Sequence, residues 1–134
     1  MRITSSGLSL TVADPEASAG FLEHAFGFER EMAADGFVSL ARSDAGFSLI
    51  FLRAGLETFK PRDRADRTAS GLLVVFVVDE IDIEYERLVS AGVPILTPIE
   101  TEPWGERYFQ VEDPNGVIVQ LVQWVAAPPE GVVA

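Results

Sequence analysis

The sequence predicts an α+β fold in which one order of elements occurs twice. Each half of the 134-residue chain has the pattern strand, helix, strand, strand. The two predicted helices begin at Asp14 and Glu80, and two turn glycines, Gly46 and Gly116, lie at nearly the same offset. A repeated order at a near-constant offset indicates an internal duplication rather than a generic α+β domain.

The first half opens with a strand over residues 7–12, where apolar side chains alternate. Asp14 is a good N-cap, and Pro15 suits the first turn of a helix because it lacks an N–H that would be unpaired there. This helix is expected to end at Gly27. Turn residues and alternating apolar residues then predict two strands and the turn between them, over residues 36–41, 47–52 and 43–46.

The second half repeats this plan. An apolar strand over residues 72–78 leads to Asp79, which we expect to cap a helix that ends at Gly92. A strong hairpin signal, Glu-Asp-Pro-Asn-Gly, then joins two further strands. These strands are predicted over residues 108–111 and 117–124. Whether each half contains one more strand stays open at this point.

The predicted elements form a single domain of two modules. A polar and charged segment with several arginines separates the modules, and a tail with two adjacent prolines follows the second. We expect that tail to be frayed. The predicted bounds are about 5–55 for the first module, 56–69 for the linker, 70–125 for the second module and 126–134 for the tail.

Composition excludes several classes of function. The chain has no cysteine and one histidine, so a disulfide scaffold, a thiolate metal site, a cysteine nucleophile and a site with two histidines from this chain are excluded. A net charge of −11 argues against nucleic acids and anionic membranes as partners. Because the chain has no apolar run of about 20 residues and begins with polar residues, we expect a cytoplasmic protein.

Three stretches of the chain resemble one known family. They are Leu8–Phe28, which contains Asp-Pro-Glu-Ala-Ser and ends in Gly-Phe, Val78–Val93, and residues 103–121, which contain Pro-Trp-Gly-Glu-Arg and Asp-Pro-Asn-Gly. Their order and spacing resemble the vicinal oxygen chelate superfamily. That superfamily includes glyoxalase I, extradiol dioxygenases, fosfomycin resistance enzymes and bleomycin resistance proteins.

The resemblance implies a fold, an assembly and a kind of site. The fold would be two tandem βαβββ modules that form a cup-shaped mixed sheet with the helices outside. Active members usually pair, so we expect a homodimer. The enzymes of the family hold a divalent metal in the cup through His, Glu or Gln on the first and last strands of each module. Carried over to this chain, those positions are Gly7, Ile50, Leu73 and Gln120.

These four residues depart from the enzyme pattern. Divalent transition metals need several lone-pair donors, and Gly7, Ile50 and Leu73 have none in their side chains. One neutral amide, that of Gln120, cannot replace the set, and a register slip by one residue offers no better donors. We therefore expect no metal, no cofactor and no catalytic residue. In this respect the chain resembles most the metal-free, bleomycin-resistance-like branch of the superfamily.

Strand alternation extends the predicted pocket from these positions. It places small, hydroxyl, amide and aromatic side chains toward the cup, which is the usual make-up of a small-molecule pocket. The alternative is a face that is packed shut. The predicted ligand-binding residues are Gly7, Ser9, Phe37, Ser48, Ile50, Leu73, Trp104, Tyr108, Gln110 and Gln120.

Two of these residues have open roles. Trp104 either stacks on a planar ligand or covers the edge of the sheet. Gln120 either orients a ligand or is a remnant bonded to backbone or water. The sequence thus predicts a metal-free protein that binds and sequesters a small apolar or aromatic molecule. Because the surface is acidic, we expect it to attract ligands that carry a positive charge. A metal-free enzyme of the same family, and a degenerate module used for protein contact, are the alternatives.

Overall fold

Alternating apolar residues build one four-stranded mixed sheet in each half of the chain. The computed structural model describes residues 1–68 and 70–126. The chain divides into a first unit, residues 1–71, and a second unit that begins at Leu72. Among the described residues, neither α-helix has the length and apolar composition to cross a bilayer.

The first unit is a βαβββ module. Its strands pair in the order β1-β4-β3-β2, with β1 parallel to β4 and the other pairs antiparallel. Its elements are β1 (Gly7–Val12), α1 (Pro15–Phe26), β2 (Glu29–Ala34), β3 (Phe37–Ala41) and β4 (Ser48–Arg53).

Both ends of α1 confirm the prediction from local sequence. The Asp14 carboxylate accepts hydrogen bonds from the backbone N–H groups of Glu16 and Ala17, at 3.2 and 3.4 Å. Gly27 ends the helix with a φ of +66°, a conformation that favours glycine. The helix buries Leu22 against the strands, where Phe51 is also buried.

The second unit has the same order of elements. Its strands pair in the order β5-β8-β7-β6, and again the first and last strands are the parallel pair. Its elements are β5 (Leu73–Val77), α2 (Ile81–Ser90), β6 (Ile95–Thr101), β7 (Glu106–Glu112) and β8 (Ile118–Trp124). The predicted α+β fold of tandem βαβββ modules is confirmed.

The core of the second unit lies between α2 and one face of the sheet. Ile81 and Leu88 of α2 are fully buried. The ring of Tyr85, also on α2, packs edge-to-face on Phe109, with ring centroids 4.9 Å apart. Because side chains alternate along a strand, the neighbours of Phe109 point to the opposite face.

The predicted N-cap of α2 is wrong. Glu80, not Asp79, occupies the N-cap position, and no side-chain hydrogen bond from Glu80 caps the helix. The side-chain oxygen of Gln123, on β8, accepts the N–H of Ile81 at 3.0 Å instead. A residue that lies far away in sequence thus satisfies the first orphan donor of this helix. Gly92 follows the helix with a φ of +78°, as the prediction requires.

The structure contains the additional strand in each half that the sequence left open. All six residues of β2 are exposed, and their sequence, Glu-Arg-Glu-Met-Ala-Ala, lacks the alternation of apolar and polar residues that would predict a strand. The other, β6, contains Pro98 and register irregularities in its pairing with β7. In the segment of the first unit that follows β4, Arg62 donates to the backbone carbonyls of Leu56, Glu57 and Phe59. The expectation of a frayed tail falls on residues 127–134, outside the described part of the chain.

The capping of α2 gives the first prediction. Gln123→Ala removes the acceptor for Ile81 and is expected to lower the free energy of unfolding by about 1 kcal/mol. Asp79→Ala is expected to change it by about 0.5 kcal/mol or less, because Asp79 is an exposed residue outside the capping bond. Urea denaturation followed by circular dichroism measures both. A larger loss for Asp79→Ala than for Gln123→Ala would contradict this assignment.

Candidate functional site

Each sheet has a helix-distal face, which we define as the face opposite the helix of the same unit. In the first unit, Val38, Leu40, Leu49 and Phe51 are fully buried. Their strand neighbours therefore lie on the helix-distal face. The predicted site residues on this face are Gly7, Ser9, Phe37, Ser48 and Ile50.

Gly7 and Ile50 lie next to each other on the parallel pair of the first unit. Gly7 pairs with Ser48 and Ser9 pairs with Ile50, so the two residues are diagonal neighbours. The Cδ1 atom of Ile50 lies 3.3 Å from the point that a Cβ atom of Gly7 would take. The methyl group of Ile50 therefore occupies the space beside Gly7 that a longer side chain would need.

Leu73 and Gln120 have the same relation in the second unit. Leu73 pairs with Ile118 and Val75 pairs with Gln120, so Leu73 and Gln120 are also diagonal neighbours on a parallel pair. The four positions that the resemblance assigned are thus equivalent in the pairing of the two sheets. The assignment of these four positions to the family's metal ligands stays a prediction.

The side chains at these positions do not fit a divalent metal ion. Three of them carry no donor atom, and the fourth, Gln120, already accepts a hydrogen bond from Gln110 Nε2 at 2.8 Å. Within residues 1–68 and 70–126, no group of three or more His, Asp or Glu side chains is arranged to hold a metal. The one histidine, His24, is exposed on α1. Zinc and related ions need three or four such ligands.

A chain of hydrogen bonds crosses the helix-distal face of the second unit. The hydroxyl of Thr97, on β6, donates to Gln110 Oε1 at 2.8 Å. Gln110, on β7, in turn donates to Gln120 Oε1 on β8. We call Thr97, Gln110 and Gln120 the amide relay. The sequence predicted the two glutamines as site residues but not Thr97.

Tyr108 lies on the same face, between two carboxylates. Its hydroxyl is 2.8 Å from Glu100 Oε1 and 2.9 Å from Glu102 Oε1. These hydrogen bonds to Glu100 and Glu102, which favour the neutral phenol, raise the pKa of Tyr108 well above its ordinary value. The two glutamates were not predicted, because their position depends on the irregular pairing of β6 with β7.

Trp104 lies in the turn between β6 and β7. The turn is closed by hydrogen bonds from the N–H of Glu102 to the carbonyl of Glu106 and from the N–H of Gly105 to the carbonyl of Glu102. Trp104 is 42% exposed. A large aromatic side chain is thus accessible two residues from a carboxylate that contacts Tyr108.

The edge strand β5, which pairs in parallel with β8, carries exposed apolar residues. Leu73, Val75 and Val77, which share the helix-distal face of β5, are between 42% and 66% exposed. This strand is an edge strand of its sheet. The face is therefore not packed shut along β5.

A separate depression of about 630 Å³ in the first unit contains none of the predicted residues. Its arginines are paired with acids: Arg42 with Asp44 at 2.6 Å and Arg30 with Glu16 at 2.7 Å. Glu31, which also lines it, accepts a hydrogen bond from the hydroxyl of Ser48 at 2.6 Å. The Ser48 hydroxyl, which was predicted to bind a ligand, is thus engaged by a side chain of β2. The depression lining is Gly27, Glu29, Arg30, Glu31, Ala41, Arg42, Ser43 and Asp44.

Comparison with known proteins identifies one family. The profile of the Glyoxalase/Bleomycin resistance protein/Dioxygenase superfamily matches residues 5–121. A segment of 39 residues is 38% identical to an uncharacterized protein of Mycobacterium bovis and to one of Mycobacterium tuberculosis. That segment is 29% of this chain and 26% and 23% of those proteins, so the chain spans about a quarter of the length of the curated relatives it matches.

Three solved structures are similar to this chain in fold. A glyoxalase/bleomycin resistance protein/dioxygenase from Nocardioides is 26% identical with a TM-score of 0.80, over 100% of this chain and 91% of that one. Lactoylglutathione lyase from Agrobacterium tumefaciens is 19% identical with a TM-score of 0.71, over 91% and 94% of the two chains. TioX from Micromonospora sp. ML1 is 22% identical with a TM-score of 0.67, over 91% and 99%. The last two likenesses concern the fold alone.

The surroundings of Tyr108 give the second prediction. The chain has two tyrosines, Tyr85 and Tyr108, so their ring carbons are separable by nuclear magnetic resonance. Tyr108 is expected to stay protonated at about pH 11, where an ordinary tyrosine of pKa about 10 is mostly ionised. Replacing both Glu100 and Glu102 by Gln is expected to bring its pKa down toward about 10.

Glu112→Gln is the control for this titration, since Glu112 is an exposed carboxylate on the same strand as Tyr108. It is expected to leave the pKa of Tyr108 unchanged. Ionisation of Tyr108 near pH 10 in the unmodified chain would contradict the described hydrogen bonds.

Proposed function

The chain belongs to the glyoxalase/bleomycin resistance protein/dioxygenase superfamily, and from this premise we propose that it is a metal-free binding protein for a small apolar or aromatic molecule. In its most concrete form, the protein sequesters a drug or aromatic natural product in the cytoplasm. This places it nearest to the bleomycin-resistance-like branch of the superfamily.

One observation carries the proposal: hydrocarbon side chains stand where related enzymes are expected to hold a metal. Gly7 and Leu73 provide no donor, and the methyl group of Ile50 fills the space beside Gly7. The remaining candidate, Gln120, has its oxygen engaged by Gln110. Such a site holds a guest by contact and hydrogen bonding rather than by coordination.

The accessible groups suit a flat ligand. Trp104 offers a large aromatic face, and the exposed apolar residues of β5 offer area from which a ligand displaces water, at about 25 cal/mol per Å². Glu100 and Glu102 lie near Trp104 in sequence and are bound to Tyr108. Together with the net charge of −11, these carboxylates favour a ligand that carries a positive charge.

The proposal includes a homodimer as the working form. Members of this superfamily bind small-molecule ligands and often form dimers. Exposed apolar residues on the edge strand β5 are compatible with a partner or a ligand covering them. The partners proposed are thus the small molecule and a second copy of the chain.

A metal-free enzyme is the second candidate, and the position of Tyr108 favours it. One phenolic proton is shared between the carboxylates of Glu100 and Glu102, at 2.8 and 2.9 Å. A group of this kind can pass a proton to or from a bound molecule if the pKa values of its members are suitable. The raised pKa of Tyr108 keeps the phenol protonated as a hydrogen-bond donor, so that in such an enzyme Glu100 or Glu102 would take up the proton.

Trp104 gives the third prediction. In a fluorescence titration with the neutral planar dye Nile red, Trp104→Ala is expected to weaken binding by about two- to ten-fold, the loss of one aromatic contact. The fold, followed by circular dichroism, is expected to stay intact because Trp104 lies in an exposed turn. Ile83→Ala, which removes an exposed apolar residue of α2, is the matched control and is expected to leave affinity unchanged. Equal affinity of Trp104→Ala and the unmodified chain would remove Trp104 from the site.

The mass of the compound recovered after incubation distinguishes sequestration from catalysis. We expect planar aromatic antibiotics incubated with the protein to be recovered with unchanged mass, as measured by liquid chromatography and mass spectrometry. A mass change that Tyr108→Phe abolishes would contradict sequestration and support the enzyme.

A further inference from the structure

We infer that Gln120 presents its amide N–H group to the bound molecule and thereby selects ligands that carry a hydrogen-bond acceptor, such as a ketone, quinone or amide oxygen. This inference rests on the proposed function, since it concerns the ligand of that same site. It adds a chemical requirement that apolar contact and stacking do not impose.

The pairing of the strands puts Gln120 on the helix-distal face. Gln110 pairs with Gln120 across β7 and β8, and Val75 pairs with Gln120 across β5 and β8. Phe109 is fully buried and packs on Tyr85 of α2. Since Gln110 follows Phe109 directly, both glutamines point away from the helix.

The amide relay has a direction. Thr97 donates its hydroxyl proton to Gln110 Oε1 at 2.8 Å, which leaves Gln110 Nε2 to face Gln120. Gln110 Nε2 then donates to Gln120 Oε1, also at 2.8 Å. An amide has its acceptor at one end and its donors at the other. With its oxygen engaged, Gln120 presents N–H groups at the free end.

That free end has no acceptor within the part of the chain that the structure describes. The hydrogen bond from Gln110 is the one that Gln120 makes among those residues. Gln120 is half-buried beside Val75 and Ile118, which offer hydrocarbon only. A ligand that covers this N–H group without accepting from it leaves a desolvated donor unpaired, and such a ligand is disfavoured.

Thr97 is the positioning residue in this arrangement. If its hydroxyl accepted instead of donated, both amides would turn over and Gln120 would present its carbonyl oxygen. The orientation of the Thr97 hydroxyl is thus coupled to the group that Gln120 presents, an N–H donor or a carbonyl acceptor. Valine has nearly the same shape as threonine but lacks the hydroxyl, so Thr97→Val removes the directing group alone.

The test uses two probes of matched shape. Acetophenone carries a ketone oxygen, and α-methylstyrene has a CH₂ group in its place. Each is titrated into the full chain labelled with ¹⁵N, at concentrations below the solubility of the hydrocarbon. The chain has three glutamines and one asparagine, so its side-chain amide spectrum contains four NH₂ groups, those of Gln110, Gln120, Gln123 and Asn115.

We expect the unmodified chain to bind acetophenone about three- to ten-fold more tightly than α-methylstyrene, as one added hydrogen bond predicts. The Gln120 NH₂ signals are expected to shift with the ketone and not with the hydrocarbon. Thr97→Val and Gln120→Glu are expected to abolish the preference. Thr101→Val, on the same strand but outside the amide relay, is the control and is expected to keep it.

Equal affinity for the two probes, without a ketone-specific shift of Gln120, would overturn the inference and leave the proposed apolar binding intact. Retention of the preference in folded Thr97→Val would overturn the role of Thr97 as the directing residue. Binding of neither probe would contradict the proposed function, and the inference would fall with it. Should Gln120→Glu fail to fold, the response of the Gln120 NH₂ signals in the unmodified chain decides: a shift with the ketone alone supports the inference, and no ketone-specific shift overturns it.

Discussion

The parallel pairing of the first and last strands in each unit is the constraint on which the candidate site depends. It puts Gly7 beside Ile50 on one sheet and Leu73 beside Gln120 on the other, in the same diagonal relation. The helix of each unit covers one face of its sheet, so these pairs lie on the other face. The chemistry of the site is therefore decided by which side chains the sequence puts at four equivalent places.

In the proposed site, contact takes the place of metal coordination at those positions. A metal site needs several donors aimed at one point, whereas a methyl group here fills the space beside a glycine. The one polar side chain at these places, Gln120, belongs to the amide relay with Gln110 and Thr97. Under the proposed function, shape and apolar area supply affinity, and the oriented amide of Gln120 supplies selectivity.

Local signals were readable from the sequence, and long-range ones were not. Asp14 was identified because a capping residue lies within three positions of the N–H groups it binds. The cap of α2 was missed because Gln123 follows Ile81 by 42 residues. The contact of Tyr108 with Glu100 was missed for a related reason: it depends on the irregular pairing of β6 with β7, which alternation cannot predict. The ten predicted site residues stay a prediction, although pairing brings members of each unit together.

Native mass spectrometry of the freshly purified full chain tests the central claim most directly, because one spectrum reports assembly, bound metal and bound organic molecules. After exposure to Zn²⁺, Ni²⁺, Mn²⁺ or Fe²⁺ and removal of the free ion, we expect no stoichiometric metal on the chain. Any adduct is expected to be an organic compound that binds without chemical change. One divalent ion retained per chain, and lost in Gln120→Ala, would contradict the account.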